Sequence, residues 1–241
     1  MQDCTAASPH NHLCEVKTNM NCPDKKKFRL LPRYGYMPLI LIIVMHMTVY
    51  LGTKLINRSF LHHDLTTVID RLIPLTPEWV LIYVLAFLFW GAGLISASWQ
   101  ERELCFKLYT AAGISYLICA VCFVVLPTEI IRPEICATDF CSRLVAATYA
   151  FDVPTNIFPS MHCMMSYIIF RGVTVSPMYK KPYSVGAGIL TLLISVSTLF
   201  VKQHYLPDVI SGLVFGEISF QLGMRTRAWL VLDALDKKLL H

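Results

Sequence analysis

The sequence predicts an all-α protein, a six-transmembrane-helix bundle. Apolar residues make up 55% of the 241 and charged residues 15%, with a mean hydropathy of +0.54, which lies outside the range of a soluble domain. Those apolar residues are gathered into six runs, each long enough to cross about 30 Å of hydrocarbon as helix. Proline and basic residues punctuate the gaps between the runs.

In chain order, residues 1–33 are polar and basic and read as a cytoplasmic N-terminal tail without stable structure. Residues 34–229 form the membrane domain, with spans expected at 37–56, 79–99, 108–126, 160–178, 183–201 and 206–224, and 230–241 form a cytoplasmic C-terminal tail. The first run follows more than thirty polar residues and is long enough to span, so it reads as a retained anchor. No repeat of solenoid type is present.

Orientation follows from the basic residues. Fourteen of them (Lys17, Lys25, Lys26, Lys27, Arg29, Arg33, Arg102, Lys107, Lys180, Lys181, Arg225, Arg227, Lys237 and Lys238) fall on one side, against Lys54, Arg58, Arg71, Arg132, Arg143 and Lys202 on the other. The heavier side is cytoplasmic, which puts both termini inside and the first, third and fifth connections, with both histidine motifs, outside in a cell membrane. The net charge of +5 is therefore a matter of topology and gives no reason to expect nucleic acid as a partner.

Two connections on the lighter side are long. Residues 57–78 carry Phe60, Leu61, Leu65, Val68, Ile69, Leu72 and Ile73 near helical spacing and predict a helix lying in the interface as a packing lid. Residues 127–159 read as a loop holding Glu129, Arg132, Asp139, Arg143 and Asp152. Of the nine cysteines, Cys105, Cys119, Cys122 and Cys163 read as small apolar fillers. Cys4, Cys14 and Cys22, with His10 and His12, are spaced too irregularly for a zinc site. Cys136 and Cys141 share an outward loop, where a disulfide is one alternative and two thiols the other.

The chemistry sits at the mouths of two spans. His204 and Asp208 are four apart with Pro207 between them, a spacing that sets a carboxylate one helical turn from an imidazole. Such a carboxylate fixes the tautomer and leaves the other ring nitrogen basic and free to attack. His162 follows Pro159-Ser160 at the start of span four, where helix-terminal amides favour an anion. Arg132 and Lys202 add fixed cations. Two imidazoles, two cations and a helix N-terminus on one side suit a phosphate group. A metal held by His162, His204 and Asp208 is disfavoured, because Lys202 and Arg132 repel a cation.

These residues carry a resemblance. Residues 126–216 resemble the type 2 phosphatidic acid phosphatase (PAP2) superfamily, whose motifs run Lys-x6-Arg-Pro, Pro-Ser-Gly-His and Ser-Arg-x5-His-x3-Asp. Here they stand as Val125-x6-Arg132-Pro133, Pro159-Ser160-Met161-His162 and Ser197-Thr198-x5-His204-x3-Asp208. The first lysine, the glycine and the last arginine are replaced by Val125, Met161 and Thr198. The run Ser197–Tyr205 looks closest to the inositol phosphotransferase-like branch.

The resemblance implies a helical bundle of the PAP2 and haloperoxidase-like type and a lipid phosphate as substrate, with membrane lipids around it. It implies no cofactor and no metal. His204 is the nucleophile oriented by Asp208, His162 is the general acid, and Arg132, Lys202 and Ser160 hold the phosphate. Hydrolysis through a phosphohistidine is the expected activity. Transfer of a phospho-headgroup to a lipid or inositol-type hydroxyl, and an inactive lipid-binding relative, remain as alternatives. A transporter is disfavoured, since paired broken helices and repeat halves are absent from the sequence.

Overall fold

Six long helices run between two ends of a bundle in the computed structural model, which describes residues 30–57 and 59–240. They are α1 (Arg33–Asn57), α3 (Val80–Ser98), α4 (Arg102–Val125), α6 (Met161–Val175), α7 (Lys181–Phe200) and α8 (Leu206–Arg225). Each covers one of the apolar runs to within a few residues, apart from α4, which starts six residues early. The expected tail through residue 29, with Cys4, Cys14, Cys22, His10 and His12, lies outside the described residues, as does Arg58.

The protein is an all-α membrane protein. Four segments, Arg33–Asn57, Pro77–Ser98, Arg102–Val125 and Lys181–Phe200, are long and apolar enough to cross a bilayer by themselves. The remaining two, α6 and α8, carry polar groups such as Arg171 and Glu217 and are held by their neighbours. Helix α4 lies between α1, α6 and α8, and α6 packs on α3, α7 and α8. The core between them holds Ile42, Trp90, Phe106, Tyr109, Met164 and Met165, with the thiols of Cys105 and Cys119 buried among them as fillers.

At the end away from Ser160, Gln100 in the α3–α4 turn accepts a hydrogen bond from Ser176 Oγ, just past α6, at 2.9 Å. The end of α6 thus lies level with the start of α4 there. As straight rods, the 15 residues of α6 reach about 22 Å and the 24 of α4 about 36 Å, so α6 stops roughly 14 Å short. The segment from residue 230 is helical: α9 (Trp229–Leu240) is fastened to α4 by Arg102, which meets Asp233 and Asp236 at 2.7 Å each.

The long connections gather at the opposite end, and they correct the expectation of one interfacial helix over 57–78. Only α2 (Val68–Leu72) is α-helical there, capped by a Thr67–Asp70 box, before Pro74 and Pro77 end it. Upstream, β1 (His63–Asp64) pairs in parallel with β2 (Thr128–Glu129), because backbone that the stretch leaves unpaired finds a partner across the bundle end. The 127–159 connection is likewise not all loop. It contains α5 (Phe140–Phe151), started by an Asp139–Ser142 capping box. Cys136 and Cys141 are both free thiols.

Glycine 212 sets the spacing of α6 and α8. A Cβ there would lie 2.7 Å from the Ser160 carbonyl oxygen and 2.9 Å from Cys163 Cβ, the first of which is backbone and cannot swing aside. Gly212→Ala is expected to cost about 1–3 kcal/mol of stability and to lower the melting temperature in detergent. Gly186→Ala, where a Cβ meets nothing within 4 Å, should leave it unchanged.

Candidate active site

The starts of α6 and α8 are built against each other. Ser160 caps α6, its Oγ accepting from the Cys163 amide at 3.4 Å, and its own amide donates to the Asp208 carbonyl at 3.0 Å. Asp208 sits in the first turn of α8, fully buried, with Oδ2 accepting from the Tyr205 amide at 2.8 Å. The loop from α7 reverses through Lys202, whose φ of 52° is left-handed, and the amides of Gln203 and His204 both donate to the Thr198 carbonyl, at 2.9 and 3.2 Å. Through these ties His204 and His162 face one another with ring centroids 5.9 Å apart.

Asp208 Oδ2 approaches His204 Nδ1 at 3.5 Å. That is ion-pair distance, longer than the hydrogen bond the i,i+4 spacing predicts, because Oδ2 is already engaged by the Tyr205 amide. His162 stands against an aromatic wall from α3: Tyr83 stacks on it at 4.4 Å, and Trp90 and Phe87 lie at 4.9 and 5.6 Å. Trp90 Nε1 in turn donates to Ser166 Oγ one turn further along α6, at 2.9 Å.

Arg132 joins from the connection after β2. Its guanidinium lies 4.6 Å over the Tyr149 ring, donates to the Asp152 carbonyl, and donates to Gln203 Oε1 beside His204. Burial holds its pKa below the ordinary value, while Asp152 pulls the other way. The Asp152 carboxylate takes hydrogen bonds from Tyr50 and, at 2.9 Å, from Lys54, both on α1. Burial alone raises its pKa, but Lys54, Tyr50 and Arg132 outweigh that and leave it below the usual carboxylate range.

Lys202 does not join this group. Its ammonium donates to the carbonyls of Asp70, at 2.9 Å, and Ile73, at 2.5 Å, because the left-handed turn aims the side chain back over α2. The expected phosphate-binding lysine is therefore a staple holding α2 to the His204 loop, reinforced by Asp70 Oδ1 accepting from the Leu206 amide at 2.8 Å. Lys202→Met is expected to cost about 1.5–3 kcal/mol of stability. The KM for a phosphate ester should change less than the melting temperature suggests, and a steady-state assay beside a thermal melt separates the two.

The sequence offered no sign of Gln203, Asp152, Tyr50, Lys54, Tyr149 or Tyr83 as neighbours of the histidines. They come from α1, α3, α5 and two connections, and spacing along the chain says nothing about that convergence. One further observation marks the place. Among the described residues nine buried side-chain atoms lack a hydrogen-bond partner, and five of them are here: Arg132 Nε, His162 Nε2, Gln203 Nε2, His204 Nδ1 and Asp208 Oδ1. Buried polar groups are normally satisfied, so such a concentration is the signature of a site built for a polar ligand. No cluster of three or more His, Cys, Asp or Glu side chains able to hold a metal forms among the described residues.

The family model of the PAP2 superfamily matches residues 104–231, more than half the chain and the whole of α6 to α8. The chain belongs to the PAP2 superfamily. No curated protein and no solved structure matches it. With its apolar helices, this PAP2 protein is a membrane enzyme of phosphatase type. Of the positions where it departs from the PAP2 motifs, Thr198 is wholly buried, its Oγ donating to the Ser195 carbonyl at 2.7 Å, and Val125 is 76% exposed at the end of α4.

Proposed function

We propose that this protein is a lipid phosphate phosphatase that works through a phosphohistidine, with its site on the extracytoplasmic face. The observation that supports this reading most directly is the facing pair His162 and His204, 5.9 Å apart, amid the cluster of unpartnered polar atoms. In the first step His204 Nε2 attacks phosphorus, and the Asp208 carboxylate steadies the proton on Nδ1 and the positive charge that develops on the ring. Arg132, the Ser160 hydroxyl and the amides opening α6 take the equatorial oxygens. His162 gives its proton to the departing alkoxide. In the second step His162 removes a proton from water as that water attacks the phosphohistidine, releasing inorganic phosphate and restoring both imidazoles.

A second reading, transfer to a lipid or inositol-type hydroxyl, is favoured by the aromatic wall of Tyr83, Phe87 and Trp90 beside His162, which gives an apolar acceptor a surface to lie on. The test is a panel of phosphatidate, polyprenyl diphosphate, phosphatidylglycerol phosphate and a phosphosphingolipid, each run with and without diacylglycerol, ceramide or inositol. Phosphate release independent of acceptor supports hydrolysis, and a phosphorylated acceptor supports transfer. Absence of both, with lipid still bound, overturns the enzymatic reading. Turnover is expected to persist in chelator and to be inhibited by vanadate, which adopts the five-coordinate geometry of phosphoryl transfer.

A further inference from the structure

We propose that Gln203 is a direct donor to the phosphoryl oxygens, occupying the part that a further cation has in the PAP2 motif pattern. The inference rests on the phosphoryl-transfer reading above and names a residue that reading does not use.

The shortage of donors comes first. Position 198, an arginine in the motif, is a threonine whose hydroxyl and carbonyl are spent on Ser195, Gln203 and His204. Position 125, a lysine in the motif, is an exposed valine. Lys202 is turned away to Asp70 and Ile73. Lys54 is held by Asp152. Among the described residues, this leaves the Arg132 guanidinium as the cation joined directly to the His204 loop, and a phosphoryl group presents three oxygens.

Gln203 immediately precedes His204 and is 2% exposed. Its orientation follows from its partner. A guanidinium can only donate, so the amide must turn its oxygen to Arg132, and the amide nitrogen then points the opposite way. That Nε2 carries two N–H groups, is buried, and has no partner. A dry, unpaired amide is costly unless something arrives to accept from it. Of the other unpartnered atoms of this cluster, Arg132 Nε and His162 Nε2 can donate as well, so the acceptor that Gln203 awaits is one those residues share: an anion with several oxygens. A neutral donor suits the position, because it binds oxygen without competing with the Arg132 guanidinium for the same counter-charge.

The rival role is purely to orient Arg132, and Gln203→Glu separates the two. A carboxylate is the same size and accepts from Arg132 at least as well, yet it replaces the N–H donor by a negative oxygen. In the full-length protein in detergent, Q203E is expected to lower kcat/KM on lipid phosphates by about 100-fold or more, the scale for losing one transition-state donor. It should also abolish the rise in melting temperature that vanadate produces in the wild type, while the melting temperature without vanadate is kept or raised. If Q203E keeps kcat/KM within about threefold and keeps the vanadate shift, the proposal falls and Gln203 only orients Arg132.

Should Q203E fail to fold, Gln203→Met removes the donor and the Arg132 acceptor together without adding charge, and kcat/KM and a vanadate shift kept in that variant overturn the proposal. The vanadate shift also stands apart from turnover. A wild type that shifts with vanadate but hydrolyses nothing overturns the phosphatase reading and leaves Gln203 to be judged by its own variant. A wild type that does not shift overturns Gln203 as an anion donor.

Discussion

His204→Ala is expected to form no phosphoenzyme and to lose essentially all turnover, because the group that makes the bond to phosphorus is gone. Rapid quench with labelled substrate checks it: wild type should show an acid-labile, base-stable phosphoryl label, and His204→Ala none. His162→Ala should still be labelled, but more slowly by roughly 100-fold to 10,000-fold with a poor leaving group, the range for a missing general acid. A label on His204→Ala at the wild-type rate would move the nucleophile to another residue, and His162, 5.9 Å away, is the first to test.

Asp208→Asn is the second large effect, an expected loss of about 1,000-fold to 10,000-fold in kcat with the fold retained. The fold is retained because an amide oxygen can still accept from the Tyr205 amide, the hydrogen bond that starts α8. The rate is lost because the oxygen that also faces His204 Nδ1 then belongs to a neutral amide. Such an oxygen holds the proton on Nδ1 more weakly than a carboxylate does, and a neutral amide gives little support to an imidazolium. A circular dichroism melt beside single-turnover kinetics distinguishes this from unfolding. An Asp208→Asn enzyme with wild-type kcat would leave the carboxylate a helix cap and nothing more.

The six long helices were legible because apolar runs are continuous where lipid or core must cover them, and because Pro159-Ser160 and Pro207 mark the starts of α6 and α8. The His204–Asp208 spacing and the nearness of both to His162 were legible for the same reason: two helix starts at one end of a bundle have few places to go. Lys202 was misread because proximity in sequence does not give direction, and a left-handed residue sends its side chain where a helical or extended one does not. The lid over 57–78 was misread because apolar spacing was weighed above Pro74 and Pro77, which shorten α2. Helix α5 did leave a signal, the Asp139 and Ser142 caps ahead of Leu144 and Val145. Gln203 left none, since a glutamine in a loop looks like any other until its oxygen is seen on Arg132.

The aromatic wall from α3 bears on how long the proposed phosphohistidine would live. His162 lies against Tyr83 and Trp90, which are three and ten residues into α3, or about 5 and 15 Å below that helix's start at 1.5 Å per residue. On the proposed mechanism a phosphohistidine on His204, 5.9 Å from His162, would lie close to these rings, and each water that ends it would have to pass them. Mutations that thin the wall, such as Phe87→Ala, should shorten the burst seen before steady state even though Phe87 carries no proton and holds no phosphate.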